Sequence, residues 1–340
     1  MKNLLAGSVF GLSLLIAADA RAQQRHVNAF ALSESFINNT WRHSVAEIET
    51  VIGCSGPQHP PANDCEIHIG ASLTDTSISD YPDIVIEPPN VCKFKPPPGG
   101  WRKFFDQTDG KTCRAKGMIR VWPEHLDSGT GCSNPPHFME LHPALSLRCE
   151  GNFSAEMTKH LKAFADLGYK APELVLATLD TFRLWLCKGC EQRAAEDDAA
   201  PTQGMVSFDY YVCDAQDRCG RKGVSNFARL LVTVQPSTIR PTPDKKYGFL
   251  TAIAHVVPID QSGSYEHNQM RNLKLYAVEG TDFYETLDKA RGRSSMKPVD
   301  VIGIYTVDAL SVKKALDKSK AGEWTEVEYP VSMIIFGQTP

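Results

Sequence analysis

The segment PHFMELHPALSLRC, residues 136–149, carries the pattern that decides the fold of the first half of this chain. Apolar and polar residues alternate through its first part, and a period of two is typical of a β-strand with one face in a core. As a strand it places Met139 and Leu141 on the core face and Glu140 with His142 on the opposite face. We therefore predict that the two polar side chains form the outer rim of a barrel strand.

The residues before this segment supply the rest of a small barrel. Alternating or β-branched runs predict three strands, a Pro/Gly loop with a two-turn helix follows, and a fourth strand precedes residue 136. These elements are predicted at 44–53, 65–72, 83–89, 101–107 and 115–123. Three strands, a helix and two strands is the order of an OB-fold, so residues 40–150 are predicted to form an OB-like five-stranded barrel.

Residues 151–340 predict a β-rich domain of α+β character. A helix is expected from Ser154 to Gly168, and seven later segments have strand patterns. Two short helices are expected at 282–291 and 311–319, and no internal sequence repeat is evident. The fold class predicted for the whole chain is mainly β or α+β.

The N-terminus has the features of a secretory signal peptide. Lys2 precedes an apolar run, and Ala20 and Ala22 are spaced as in an A-x-A cleavage site. Cleavage near Ala22 would remove residues 1–22 and leave a secreted or periplasmic protein. No later stretch approaches the roughly 20 apolar residues of a membrane helix, so no integral membrane segment is predicted.

Ten cysteines follow the predicted cleavage site, six before residue 150 and four after it. Even numbers in an exported protein favour disulfide bonds. The last four, Cys187, Cys190, Cys213 and Cys219, also have the spacing of a four-thiolate zinc site. Their C-x-x-C pair resembles a redox dithiol as well, although no thioredoxin-like βαβ pattern surrounds it.

Three segments of the first half resemble a family of exported OB-like domains that have no assigned activity. The matching segments are DCEIHI at 64–69, IVIEPPNVC at 84–92 and MELHPALSL at 139–147. This chain departs from the family's turn before the last strand, where GTGCSNPPHF at 129–138 adds a cysteine and a histidine. The resemblance implies an OB-like fold and export, and it implies no activity.

Carboxylates and histidines in the same segments are candidate metal ligands. The candidates are Glu66, His68, His137, Glu140 and His142. Imidazole and carboxylate groups together are usual ligands of zinc or manganese. Their spacing lacks the helical H-E-x-x-H pattern, and a solvent-facing polar rim explains the same residues without chemistry.

A basic and aromatic stretch is a candidate surface for a polyanion such as single-stranded nucleic acid or a polysaccharide. Its candidate residues are Lys93, Trp101, Arg102, Lys103, Arg114 and Lys116. Basic side chains bind a charged backbone, and aromatic rings stack on bases or sugars. The alternative is a solvated loop and a helix that caps the barrel. The formal charge of the whole chain, −4, gives no general attraction for polyanions.

The function predicted from these features is an exported, disulfide-stabilised binding protein, with a polyanion as candidate ligand. The alternative is a metal-dependent, nuclease-like hydrolase that uses the Glu and His residues of the strands. Nucleophile elbows, phosphate loops and dinucleotide fingerprints are absent from the sequence. No resident cofactor is predicted under the first interpretation, and a divalent metal is required under the second.

Overall fold

The computed structural model of this protein describes residues 26–338, with gaps inside that range. The gaps are 44, 61–64, 89–90, 94–95, 127, 158–171, 191–203, 215, 217, 222–225, 242–248, 261, 263 and 267–269. The predicted signal peptide and most of the predicted helix from Ser154 to Gly168 lie outside the described residues.

Strands make up 48% of the structure and helices 20%, which confirms the mainly β or α+β fold class. The strands are β1 (Phe30–Ser33), β2 (Val45–Ser55), β3 (Ile69–Leu73), β4 (Asp83–Ile86), β5 (Thr112–His125), β6 (His137–Cys149), β7 (Phe153–Glu156), β8 (Arg183–Lys188), β9 (Met205–Cys213), β10 (Cys219–Gly220), β11 (Phe227–Val234), β12 (Arg240–Pro241), β13 (Phe249–Pro258), β14 (Arg271–Val278), β15 (Val299–Val307), β16 (Trp324–Glu326) and β17 (Val331–Gln338). The α-helices are α1 (Glu34–Asn39), α2 (Gly100–Asp106), α3 (Pro172–Thr181), α4 (Asp282–Ala290) and α5 (Ala309–Lys318).

The first barrel has the strand order predicted for an OB-fold. β2 pairs with β3 and β5, β3 pairs with β4, and β5 pairs with β6. A parallel pairing between β4 and β6 closes the barrel, and α2 lies between β4 and β5 in the chain. Strand β6 begins and ends where the alternation predicted it, at His137 and Cys149.

The second barrel repeats this strand order, although no sequence repeat indicates it. β11 pairs with β13 and β15, β13 with β14, and β15 with β17. A parallel pairing of β14 with β17 closes it, and α4 lies between β14 and β15. Helix α4 forms because Thr281 caps its N-terminus through the backbone N–H of Tyr284, while Phe283 and Leu287 are buried on one face.

A third sheet joins the start of the chain to its second half. The strand order is β1, β9, β8, β16, and the short strand β10 pairs with the C-terminal end of β9. It takes one strand from before the first barrel, and another, β16, from between two strands of the second barrel. The boundaries predicted at 40–150 and 151–340 remain a prediction.

The two barrels pack against each other through the outer face of β5 and β6. Apolar side chains from both barrels form this contact: Val45, Met118, Leu145, Tyr276, Val278, Ile302, Ile304, Ile334 and Phe336. Polar contacts accompany them, since Arg120 Nε donates to the carbonyl oxygen of Tyr305 at 2.8 Å. The face of β6 that was predicted to be an exposed rim is therefore covered by the second barrel.

The prediction of a helix that begins at Ser154 is wrong for the first residues of that segment. Residues Phe153–Glu156 form β7, which pairs antiparallel with the end of β6. Phe153 packs on Phe104 with ring centroids 4.4 Å apart, and Ala155 is buried. Packing against the first barrel thus decides this segment in favour of a strand.

Candidate functional site: a buried carboxylate and histidine cluster

A cluster of ionisable side chains lies on the outer face of the first barrel, beneath the second barrel. We call it the Glu–His cluster, and its members are Glu66, His68, Glu87, Arg120, Glu124, His137, Glu140 and His142. The loop before β3 contributes the first two, the end of β4 contributes Glu87, and β5 and β6 contribute the others. The loop before β3 corresponds to the loop between the first two strands of an OB-fold, which is one of the places where OB-folds bind ligands.

Two disulfides hold the loops that carry the cluster. Cys65 is bonded to Cys92, which ties the segment of Glu66 to the segment just after Glu87. Cys54 is bonded to Cys132, which ties the end of β2 to the loop before β6. These covalent links reduce the freedom of three loops that would otherwise move independently.

Close packing around Gly70 positions the loop before β6, which carries Cys132. A Cβ atom at Gly70 would lie 1.9 Å from the carbonyl oxygen of Cys132, so only glycine allows this approach. The segment 65–68 before it was predicted to be part of a strand, and this prediction is wrong. The backbone carbonyls of this segment instead accept hydrogen bonds from the segments that follow β2 and β4. The N–H of Gly56 donates to the carbonyl oxygen of His68, and the N–H of Val91 donates to that of Cys65.

The alternation prediction for β6 is confirmed, and the exposure prediction is wrong. Met139 and Leu141 lie in the barrel core, as predicted, with Glu140 and His142 on the other face. Glu140 is only 2% exposed and His142 is fully buried, because the second barrel covers them. The ring of His142 lies 5.2 Å from that of Phe336.

Glu140 accepts hydrogen bonds on both carboxylate oxygens. Arg120 Nη1 lies 2.5 Å from Glu140 Oε2, and His137 Nε2 lies 3.0 Å from Glu140 Oε1. Arg120 and Glu140 are cross-strand partners on β5 and β6, so the sheet register itself brings them together. His137 precedes Glu140 by three residues on β6, in the part of the strand where the pairing with β5 shifts register.

His142 lies among three carboxylates. Its Nδ1 is 2.5 Å from Glu87 Oε2 and 3.4 Å from Glu140 Oε2. Its Nε2 is 3.3 Å from Glu66 Oε2, outside hydrogen-bonding geometry, and makes no hydrogen bond with the described residues. One ring nitrogen is thus held by carboxylates while the other faces Glu66 with a lone pair or proton available.

His68 and His59 connect the cluster to the surface. His68 Nε2 lies 3.2 Å from Glu66 Oε1 and 3.5 Å from Glu87 Oε1. Its side chain is 17% exposed, and its ring meets that of His59 edge-on at 4.7 Å. The cluster therefore runs from a partly exposed pair of histidines to a fully buried centre.

Burial and charge act in opposite directions on the pKa values of the cluster. Burial alone would lower the pKa of His68, but the carboxylates of Glu87 and Glu66 outweigh it and raise the pKa to about 10. Burial would also lower the pKa of His142, but Glu87 and Glu66 outweigh it and raise the pKa well above its usual range.

The carboxylates respond to their neighbours in different ways. Burial opposes ionisation of Glu140, yet Arg120 and His137 hold its pKa well below the usual range. Glu124, which also contacts Arg120, has a pKa raised to about 7 because burial dominates. Arg120 contacts two of the four carboxylates of the cluster, those of Glu124 and Glu140. Protons on the imidazoles or a bound cation would compensate the negative charge of the other two.

Three overlapping sets of side chains have ligand atoms close enough to hold a metal ion, within 4.8 Å of one another. The sets are His59, Glu66 and His68; Glu66, Glu87 and His142; and Glu87, His137 and Glu140. Neighbouring sets share Glu66 or Glu87. In the third set Glu140 already pairs with the cation of Arg120, so a metal there would have to displace a buried guanidinium.

The middle set is buried throughout and contains no carboxylate that pairs with Arg120. We call it the central triad, Glu66, Glu87 and His142. Bond lengths of about 2.0–2.2 Å around a tetrahedral zinc ion imply ligand atoms roughly 3.3–3.6 Å apart. The separation of His142 Nε2 and Glu66 Oε2, 3.3 Å, lies in this range.

Three members of the cluster, Glu87, Arg120 and Glu124, were not predicted as site residues from the sequence. A signal for Arg120 exists in the sequence, since it is a lone charge between the core residues Ile119 and Val121 of β5. Its meaning depends on the partner opposite, which only the pairing with Glu140 reveals.

The predicted polyanion residues lie on three different elements, a short 3-10 helix, α2 and β5. Arg102 and Lys103 are exposed on α2, while Trp101 is half-buried and stacks on Phe105 with centroids 5.9 Å apart. Packing of Trp101, Phe104 and Phe105 on the barrel is the capping arrangement. Lys93 ends a short 3-10 helix, and its side chain lies outside the described residues.

Arg114 and Lys116 lie on the outer face of β5. Their cross-strand partners on β2 are Glu49 and Glu47. Arg114 Nε lies 3.7 Å from Glu49 Oε2. Acidic residues therefore balance the positive charge of this strand face, which reduces its attraction for a polyanion.

All ten cysteines form disulfides. The three in the first half are Cys54–Cys132, Cys65–Cys92 and Cys113–Cys149, and the two in the second half are Cys187–Cys190 and Cys213–Cys219. The prediction of a disulfide-stabilised protein is confirmed. The alternative four-thiolate zinc site is wrong, because these thiols are bonded to each other.

No protein-family model matches this chain, and no curated protein matches it. Among the described residues, no helix has the length and apolar character required to cross a membrane.

Proposed function

We propose that this protein is an exported, disulfide-stabilised metal-binding protein whose central triad holds one divalent transition metal, with zinc as the preferred ion; His142 Nε2 and Glu66 would bind the ion, and Glu87 would orient the His142 ring through Nδ1. The observation that carries the proposal is the state of His142. Carboxylates hold its Nδ1, while its buried Nε2 makes no hydrogen bond with the described residues and lies 3.3 Å from Glu66 Oε2. Metal-ligating histidines have this arrangement, with one nitrogen fixed by an acceptor and the other on the metal.

The charge of the site supports the same proposal. Glu66 and Glu87 are 1% and 3% exposed, and both lie within ion-pair distance of His68 and His142. Buried carboxylates are costly unless a protonated imidazole or a metal ion compensates their charge. Carboxylate and imidazole ligands suit zinc, and manganese is the next candidate.

Binding is favoured over the nuclease-like alternative by burial. A catalytic metal keeps a coordination position open to water and substrate. The three residues of the central triad are at most 3% exposed, and the second barrel covers His142. A closed site of this kind suits retention of an ion, or its use as a structural element.

Metal titration of the mature protein tests the proposal. After treatment with a chelator and its removal, isothermal titration with zinc should give one ion per chain. Glu66→Gln, Glu87→Gln and His142→Gln should each weaken binding by at least about tenfold. The matched control is Glu49→Gln, an exposed carboxylate on the same barrel, which should bind zinc as the parent does.

Two results would contradict the metal proposal. One is absence of zinc and manganese binding at micromolar concentrations by folded parent protein. The other is unchanged affinity in all three triad variants. Turnover of a phosphodiester such as bis(p-nitrophenyl) phosphate by the metal-loaded protein, lost in the same variants, would favour the hydrolase instead.

Export is part of the proposal. The A-x-A motif before Gln23 and the five disulfides support passage to an oxidising compartment. The resemblance to exported OB-like domains points the same way and also remains a proposal. Mass spectrometry of protein recovered from a secreting host should give an N-terminus near Gln23, and an intact Met1 would contradict export by this route.

A polyanion remains the second candidate ligand, on the observation that Arg102 and Lys103 are exposed beside the half-buried Trp101. Such binding should weaken with salt because it releases counterions. Arg102→Gln with Lys103→Gln should reduce affinity for single-stranded DNA or heparin, whereas Arg114→Gln, whose charge is already balanced, should change it little. Absence of binding at low salt would remove this candidate.

A further inference from the structure

A second site of defined chemistry lies on the third sheet, far in the chain from the central triad. Its walls are Trp185 on β8 and Trp324 on β16, and its floor is Asp209 on β9. Trp185 and Asp209 are direct cross-strand partners, so the sheet register fixes their relative positions. We call these three residues the imidazole cage.

A histidine of the same chain, His26, contacts all three residues of the cage. The ring of His26 lies 5.0 Å from each indole, stacked on Trp324 at 29° and tilted by 49° to Trp185. His26 Nδ1 donates to Asp209 Oδ2 at 3.0 Å. A planar heterocycle between two aromatic walls with its N–H on a carboxylate is the arrangement of a ligand in a recognition site.

The burial and hydrogen-bond partners of Asp209 restrict the class of ligand that the cage can bind. Its side chain is fully buried, and Arg221 binds both oxygens, with Nε 2.5 Å from Oδ1 and Nη2 2.9 Å from Oδ2. Arg221 already compensates the negative charge, so the cage does not require a cation. It requires a flat ring with one N–H donor directed at Oδ2, and a neutral imidazole meets both conditions.

We propose that Trp185, Trp324 and Asp209 form a binding site for imidazole-bearing ligands, and that His26 occupies it as an intramolecular competitor. His26 precedes β1 by only a few residues, so the pairing of β1 with β9 holds it beside the cage. A tethered group of this kind has an effective concentration in the millimolar range. An external imidazole must therefore compete with His26 in the parent protein and finds the cage open when that ring is removed.

The test uses imidazole itself as the probe and the mature full-length protein. His26→Ala should bind imidazole saturably, followed by the fluorescence of Trp185 and Trp324, at least about tenfold more tightly than the parent. EDTA in the buffer prevents imidazole from acting through a bound metal. The matched control is His43→Ala, which removes a histidine outside the cage and should behave as the parent does.

A double variant separates binding in the cage from binding elsewhere. In the His26→Ala background, Trp324→Ala leaves Trp185 as the fluorescent residue of the cage. Addition of imidazole to this double variant should give no saturable change in the fluorescence of Trp185. Equal imidazole affinity with and without Trp324 would overturn the proposal, as would a folded His26→Ala protein that shows no saturable binding. If His26→Ala does not fold, His26→Gln replaces it with the same readout. The outcome is independent of the metal site, which shares no residue with the cage.

Discussion

Replacing Glu140 by Gln distinguishes a buried ionic network from an exposed strand rim. Glu140 is 2% exposed, and its two oxygens contact Arg120 and His137 at 2.5 and 3.0 Å. The substitution keeps the size of the side chain and removes its charge. It leaves the fully buried Arg120 with Glu124 as its remaining carboxylate partner, at 3.1 Å.

The expected loss in the free energy of unfolding follows from burial. Breaking a buried ion pair by removing one partner costs about 3–5 kcal/mol, since the other charge stays in the interior. An exposed hydrogen bond, as the sequence alone implied, would cost about 1 kcal/mol. With a urea m-value of about 3 kcal/mol/M, the larger loss lowers the unfolding midpoint by roughly 1–1.7 M.

Urea unfolding followed by circular dichroism measures this loss. The control is Arg114→Gln, which breaks an ion pair that is mostly exposed and should cost no more than about 1 kcal/mol. Arg120→Met combined with Glu140→Gln should cost less than the sum of the single variants, since neither charge is then left alone. A loss below about 1 kcal/mol for Glu140→Gln would refute the claim that this network is buried and tightly paired.

Three other predictions concern the core, a second buried carboxylate and the disulfides. Leu141→Ala should cost about 2–5 kcal/mol in unfolding free energy, because Leu141 is fully buried on the barrel side; a loss near zero would place it outside the core. Burial would raise the pKa of Asp308, but Lys274 outweighs burial and lowers it, so the stabilising effect of Asp308 is present above about pH 4 and lost as the pH falls. Asp308→Asn should accordingly be less stable than the parent near pH 7 and approach it below pH 4, and a constant difference across pH would contradict this assignment. Removing the Cys65–Cys92 disulfide by a double Ala substitution should lower the free energy of unfolding by about 3.5 kcal/mol, given its 27-residue separation, and should weaken zinc binding. Unchanged zinc affinity would show that this disulfide does not position Glu66.

The sequence was sufficient for the first barrel because its signals are local. Alternation placed β6 at His137–Cys149, and the order of strands and helix predicted the OB-like topology that the pairing of β4 with β6 completes. Helices α4 and α5 also begin and end within a few residues of their predicted positions. Each of these predictions depends on neighbours within one turn or one strand.

The second barrel was not predicted, although all its strands were recognised as such. Its closure depends on the parallel pairing of β14 with β17, which are separated in the chain by α4, β15, α5 and β16. Strand patterns indicate which face is apolar, and they do not identify the partner strand. The repeated OB order is therefore visible only in the tertiary structure.

The candidate site was likewise predicted in part from local sequence patterns and determined in part by the tertiary structure. The sequence by itself determined that Glu140 and His142 share one face of β6 and that Met139 and Leu141 take the other, because successive side chains of a strand point in opposite directions. Only the tertiary structure decided that this polar face is buried and that Glu87 and Arg120 belong to it. The contact from Arg120 to Tyr305 spans 185 residues of sequence, and a contact that long depends on how two barrels pack, which no local pattern encodes.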